Sequence, residues 1–302
     1  MKTKYGGFGW FKEVFQVKGS VIGSIKERVI LCALFALLIA VIEYKNPGFF
    51  SQEWTKTLTN LIPGITLVLG LLLVFRTNTA YDRFWEGRKL WGNISNTIRS
   101  MVVQILSNIN ATNPEIKEQK IVILKILVAL AYSIKLHLRS EIKSKDHEFE
   151  DLLSPSRFNQ IKNINHVPLQ IAFWVNDDLQ KLYSKKAIDQ IQLNTIQESN
   201  NVIIHAIGGC ERILRTPIPL AYSIHLKQLL LIYCFVFAFL SVSSLKIVTV
   251  LAVSVIAFVL FGIEEIGIEI ENPFGHDPND LPLDTLCEGL RNYVEEAIKN
   301  NA

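Results

Sequence analysis

The feature that most constrains this chain is a thirty-six-residue stretch, Gln228–Ile263, whose only charged residue is Lys246. A helix needs about 20 predominantly apolar residues to cross the hydrocarbon core of a bilayer. The polar segment 241–246 divides the stretch into two runs of nearly that length. The sequence therefore predicts a transmembrane hairpin with helices over Leu229–Leu245 and Ile247–Ile263, and so an integral membrane protein.

Two further apolar segments lie near the start of the chain. Leu58–Phe75 has eighteen residues without a charge, contains Pro63 and Gly64, and is followed directly by Arg76. Val29–Ile42 has only fourteen, but apolar residues precede it and no small-residue cleavage site follows it. Both segments are predicted to span the membrane, the shorter one in preference to a signal peptide.

A fifth apolar segment, Ile121–Ile134, contains Lys125 and is predicted to be a buried helix outside the membrane. The distribution of Lys and Arg supports this choice. Residues 1–28 hold six of them and residues 76–227 hold twenty, against fourteen Asp and Glu in the latter, whereas the loop 43–57 holds two. Four spans place every basic segment on the cytoplasmic side, together with both termini.

Composition excludes several other classes. The chain is 49% hydrophobic and 20% charged, and its net charge of +3 gives no reason to expect a nucleic-acid partner. Its four cysteines show no paired spacing that would indicate a disulfide scaffold or a zinc site. No phosphate-binding, metalloprotease or serine-hydrolase motif is present, so the chain is not expected to be an enzyme.

The expected architecture is all-α, with four transmembrane helices and a large helical cytosolic domain. The predicted membrane spans divide the chain into five parts. They are a cytosolic arm (1–28), the first two transmembrane helices (29–75, the second over 58–75), a cytosolic helical region (76–227), the transmembrane hairpin (228–263) and a cytosolic C-terminal segment (264–302).

Four motifs, in this order along the chain, make it resemble the bacterial branch of the bestrophin family. They are LIPGITLVLGLLLVF at 61–75, RTNTAYDRFWEGRKLWG at 76–92, TPIPLAY at 216–222 and ENPFGHDPNDLPLD at 271–284. The resemblance implies a homopentameric ion channel in the cell (inner or plasma) membrane. Each subunit would contribute the helix 58–75 to a central pore through which small inorganic ions pass.

The resemblance also assigns the narrow parts of that pore. Leu67, Leu71 and Phe75 follow one another at i, i+4 and i+8, a spacing that by itself more often indicates packing against a neighbour. Similarity to the family places them in the neck, where three apolar rings can gate by dewetting. Ile218, held between two prolines, is either part of a rigid loop or, by resemblance, the ring at the cytosolic aperture.

Pro63 and Gly64 leave two alternatives for the pore helix. Proline either kinks the helix or ends it, and a helix that restarts there would present free N–H groups suited to an anion. Thr66 lies close enough in sequence to help coordinate an ion. This argument and the positive charge of 76–227 favour a chloride-type anion, with a monovalent cation such as sodium or potassium as the alternative.

The C-terminal motif contains Asp277 and Asp280, oxygen ligands that suit Ca²⁺. Animal bestrophins carry a calcium clasp in the matching segment, with a denser acidic run, and bacterial members lack its calcium dependence. Capping and subunit contacts are therefore expected in preference to a calcium site, and no cofactor is expected. A secondary transporter and a membrane-anchored scaffold remain as rival functions.

Overall fold

The computed structural model describes residues 10–11, 14–17, 19–50, 53–109, 113–143 and 146–301, and this part of the chain forms helices and no β-strand. A 3₁₀ turn covers Asp146–Phe149. The α-helices are α1 (Ile22–Lys45), α2 (Glu53–Asn108), α3 (Pro114–Leu138), α4 (Pro155–Ile161), α5 (Val167–Ser184), α6 (Gln190–Arg215), α7 (Leu220–Leu245), α8 (Val248–Glu269) and α9 (Leu283–Asn301).

These helices form two compact units. The first takes its described residues from 1–84, 217–272 and 277–279, and the second from 85–216, 273–276 and 280–302. Helix α2 contributes to both units, since its first part belongs to one and its last part to the other. The first unit contains the predicted transmembrane segments together with the residues just after them in α2.

In the first unit, α1, the first part of α2, α7 and α8 share one apolar core. Its centre contains small side chains at the helix contacts, which let the backbones approach closely, as is common between membrane helices. Phe35 of α1 stacks on Phe235 of α7, with 4.2 Å between ring centroids. The core side chains with the least exposure are Cys32, Ala36, Leu69, Leu73, Leu230, Cys234, Ala238, Val253 and Ala257.

Four helices of the described residues are long and apolar enough to cross a membrane. They are Leu58–Asn108 within α2, and α3, α7 and α8. Helix α1 is not among them because charged residues near both ends leave the fourteen-residue run Val29–Ile42 between them. However, α1 leaves Leu34 and Leu38 more than half exposed, as expected of side chains that face lipid. The assignment of α1 as a span stays a prediction.

Helix α3 contains the apolar segment that was predicted to lie outside the membrane. Within the second unit, 72% of its most apolar window is buried by the protein itself. Its apolar side chains therefore need no lipid to leave water. Asn113 caps its first turn by accepting a hydrogen bond from the Ile116 N–H at 2.8 Å.

The hairpin between α7 and α8 is tight. Lys246 adopts a positive φ of 51°, and its N–H donates to the carbonyl of Val242 at 2.8 Å. The left-handed backbone at this position ends α7 and lets α8 begin at Val248.

Two glycines in the second unit permit close contacts. A Cβ at Gly87 would lie 2.8 Å from Pro273, and one at Gly209 would lie 2.9 Å from Leu90. The first contact brings the motif residue Pro273 against α2.

Candidate pore-lining site

The first part of α2 has one packed face and one uncovered face. Leu69 and Leu73 are 2% and 3% exposed in the core of the first unit. Leu67, Leu71 and Phe75, which lie on the opposite side of the helix, are 68%, 49% and 59% exposed. The three predicted neck residues therefore share a face that their own chain leaves free.

The helix is continuous through Pro63, which corrects one of the two alternatives for this segment. Residues on both sides of Pro63 belong to the single helix α2, so no new helix begins at Gly64. Because Pro63 lacks only its own N–H, the N–H groups that follow remain within the helix. This segment therefore has no free helix N-terminus that could attract an anion.

Thr66 is held within the subunit. Its hydroxyl donates to the Ile62 carbonyl at 2.8 Å and therefore accepts from the Tyr233 hydroxyl, which lies 2.9 Å away. These two bonds link α2 to α7. A role for Thr66, Pro63 or Gly64 in ion coordination stays a prediction.

Glu271 fixes the position of Ile218. One carboxylate oxygen of Glu271 accepts the Ile218 N–H at 2.8 Å, and the other accepts from the Arg76 guanidinium at 2.7 Å. Arg76 is 4% exposed and follows Phe75 directly on α2. A single carboxylate thus connects the residue after the predicted neck to the predicted aperture.

Two further hydrogen bonds reinforce this connection. Arg83 donates to the backbone carbonyl of Glu271 at 3.1 Å, and the Tyr222 hydroxyl donates to the Leu72 carbonyl at 2.6 Å. Arg83 belongs to the motif 76–92, Tyr222 to the aperture motif 216–222 and Glu271 to the motif 271–284. Sequence reasoning identified these motifs but did not pair their residues, because Arg76 and Glu271 lie 195 positions apart.

A second ion cluster joins α1 to α8. Arg28 contacts Glu264 at 3.1 Å and Glu265 at 2.8 Å, and both carboxylates are nearly buried, with exposures of 2% and 8%. The Arg28 guanidinium thus lies against both carboxylates and offsets part of the cost of burying them. Charged residues near the ends of apolar helices are thus paired inside the unit.

The two acids considered for calcium lie three residues apart, between α8 and α9. Asp277 belongs to the first unit and Asp280 to the second. Among the described residues, the group of His, Cys, Asp and Glu side chains close enough to share a metal ion contains neither of them. A calcium site at Asp277 and Asp280 stays a prediction.

The apolar helices, the exposed leucines of α1 and α2, and the ion pairs near the helix ends define an all-helical integral membrane protein. Comparison with known proteins places it further. The family of bacterial and fungal bestrophin proteins matches residues 2–296. The chain therefore belongs to the bestrophin family, which confirms the resemblance of its motifs.

Individual relatives agree with this assignment. The chain is 52% identical, over 95% of its length and 91% of the relative's, to a voltage-dependent anion channel-forming protein of Nostoc. It is 44% identical to a protein of the same description from Synechocystis, over 96% and 92% of the two chains. A bacterial bestrophin homologue from Klebsiella pneumoniae matches its fold with a TM-score of 0.78, at 25% identity, over 90% of this chain and 98% of the other.

Proposed function

We propose that this chain is one subunit of a homopentameric channel that passes small anions of the chloride type. Leu67, Leu71 and Phe75 form its neck, and Ile218 forms its cytosolic aperture. Residues 29–75 and 228–263 cross the cell membrane as two helical pairs, with both termini cytoplasmic. Transport is passive, with no catalytic step.

The observation that carries the proposal is the uncovered apolar face of α2. Leu67, Leu71 and Phe75 are free to meet either lipid or other subunits. We assign them to other subunits because the family resemblance of the segment 61–75 places them at the neck. Around a rotation axis, the same three side chains from each subunit form stacked rings. Five copies is the number that membership of the bestrophin family implies.

The choice of an anion rests on the relatives and on charge. Both cyanobacterial relatives are described as forming anion channels. In addition, residues 76–227 carry six more basic than acidic side chains, since they contain twenty Lys and Arg and fourteen Asp and Glu. Physiological salt screens charges beyond about 8 Å, so only the groups that face the conduit act strongly.

One observation favours a channel selective for monovalent cations. Asp82 lies seven residues after Phe75 on α2, two helical turns further along the same face, and is exposed. Five copies of this carboxylate would form an acidic ring beyond the neck, as is found in cation channels. Asp82 is therefore the residue with which to separate the two selectivities.

Reversal potentials of the purified protein in a planar bilayer test the selectivity. With a KCl gradient, we expect current steps from single channels that reverse near the chloride equilibrium potential. Reversal near the potassium potential would reject the anion assignment, and loss of that preference in Asp82→Asn would identify the acidic ring as its cause. A scaffold would pass no current, and a transporter would show no unitary steps.

Assembly is tested separately from conduction. Native mass spectrometry of the protein released from detergent should show mainly a species of five chains of 34.3 kDa each. The reason is that the apolar face of α2 is covered only in the assembled form. A spectrum dominated by monomers or dimers would contradict the pentamer and, with it, the axial neck.

A further inference from the structure

Three side chains with metal-binding chemistry meet in the second unit. His137 lies in the last turn of α3, His166 directly precedes α5, and Glu211 lies on α6. One oxygen of Glu211 is 2.7 Å from the Nε2 atom of each histidine. The two imidazole rings lie 4.4 Å apart, and one donor atom from each of the three residues lies within 4.8 Å of the others.

We propose that His137, His166 and Glu211 bind a divalent transition-metal ion of the zinc type. Two imidazole nitrogens and one carboxylate oxygen are the protein ligands of many zinc sites in which water takes the fourth position. Imidazole is a poor ligand for hard cations, which prefer oxygen donors. The proposed site is thus distinct from a calcium site at Asp277 and Asp280.

The spacing of the three side chains fits such an ion after a small adjustment. Metal–ligand bonds of about 2.0–2.2 Å in a tetrahedron separate the ligand atoms by roughly 3.3 Å. The Glu211 oxygen must therefore move about 0.6 Å away from each histidine nitrogen. The side chains are 18–29% exposed, so an ion can enter from solvent and keep a bound water.

Metal binding depends on the protonation of the three side chains. Burial raises the pKa of Glu211, but hydrogen bonds from His137 and His166 outweigh this effect and leave the pKa below its ordinary value. The carboxylate is therefore charged at neutral pH. Without a metal, each Nε2–H donates to Glu211, and metal binding requires the lone pair on that nitrogen instead.

The change of proton position has one structural consequence. Nδ1 of His166 accepts the N–H of Leu169 at 3.3 Å and so caps α5. When Nε2 binds a metal, the remaining ring proton lies on Nδ1, and this long, weak hydrogen bond is lost. The metal would then link α3, the start of α5 and α6, while α5 would lose one weak capping hydrogen bond.

The surroundings of the cluster leave the carboxylate available to a metal. Arg215 approaches the other Glu211 oxygen only to 3.9 Å and is mostly exposed. Cys210, next in sequence, is fully buried, and burial together with Glu86 and Glu211 raises the pKa of its thiol to about 12. Cys210 is not among the side chains whose donor atoms lie within 4.8 Å of one another, so it is not proposed as a ligand.

Isothermal titration of the metal-free, full-length protein with ZnCl₂ tests the site. We expect one Zn²⁺ per chain, with no comparable binding of CaCl₂ or MgCl₂. Glu211→Gln and His137→Gln should each weaken zinc binding at least roughly tenfold, since even changes to groups behind metal ligands commonly lower affinity 10- to 100-fold. His205→Ala, an exposed histidine on the same helix as Glu211, is the matched control and should bind as the wild type does.

A second measurement keeps the test independent of variant stability. Co²⁺ added to the wild-type protein should give the visible absorption of a tetrahedral site, and one equivalent of Zn²⁺ should abolish it. The proposal is overturned if the wild type shows no such absorption and takes up no zinc. It is equally overturned if Glu211→Gln and His137→Gln bind zinc as tightly as His205→Ala while circular dichroism shows that they are folded.

Discussion

Combined replacement of Leu67, Leu71 and Phe75 with alanine is expected to raise single-channel conductance or open probability more than any other change in the membrane unit. Each substitution removes apolar surface and widens a ring, and a wider constriction holds water more readily. A tenfold rise in current corresponds to a barrier lower by only about 1.4 kcal/mol. Bilayer recordings of the triple variant and of each single variant measure the effect.

The matched control for the neck lies on another helix. Leu251 of α8 is 66% exposed, nearly the same as Leu67 at 68%, but does not belong to the neck face. Leu251→Ala makes the same chemical change at a position predicted to face lipid and should leave conductance unchanged. If the triple variant and Leu251→Ala give the same currents as the wild type, the neck lies elsewhere.

Among single substitutions outside the proposed neck, Glu271→Gln is expected to change both the stability and the ion permeability most. The substitution leaves the Arg76 guanidinium, 4% exposed, without its carboxylate partner. Removing one member of a buried ion pair typically costs about 3–5 kcal/mol. The same change weakens the anchor of the Ile218 N–H, so the aperture loses its defined position.

Thermal unfolding in detergent and permeability ratios for anions of different size measure these two effects. Glu269→Gln is the control, since Glu269 accepts a hydrogen bond from Asn279, which an amide oxygen can also accept. Arg76→Gln should lower the stability much less in the Glu271→Gln background than in the wild type, because the two side chains interact. Additive losses of stability would show that the pair is not coupled, and unchanged permeability would remove Glu271 from the aperture.

Helix α2 shows which features a local sequence pattern predicts and which it does not. Its apolar segment 58–75 was recognisable because eighteen uncharged residues fit only a few environments. The helix in fact runs from Glu53 to Asn108, and no proline lies between Arg76 and Asn108 to end it earlier. Whether Pro63 interrupts that helix was open in the sequence, since proline is compatible with both a kink and a break, and only the backbone path decides between them.

The histidine cluster shows a different limit. His137, His166 and Glu211 have no spacing that indicates a metal site, because they belong to different elements of the second unit. Metal motifs are recognisable in a sequence only when the ligands lie close together along one helix or loop. Here helix packing alone brings the three side chains within bonding distance.

The amino-acid sequence by itself determined the class of this protein, its apolar segments, the helical face shared by Leu67, Leu71 and Phe75, and its membership of a family. Family membership rests on four motifs and their order, whereas the other properties depend on hydrophobicity and helical periodicity, which act over a few residues. Tertiary structure decided that Leu69 and Leu73 are covered while Leu67, Leu71 and Phe75 are not. It also decided that Glu271 binds both Arg76 and the Ile218 N–H. Such pairings depend on packing between segments far apart in the chain, which no local pattern records.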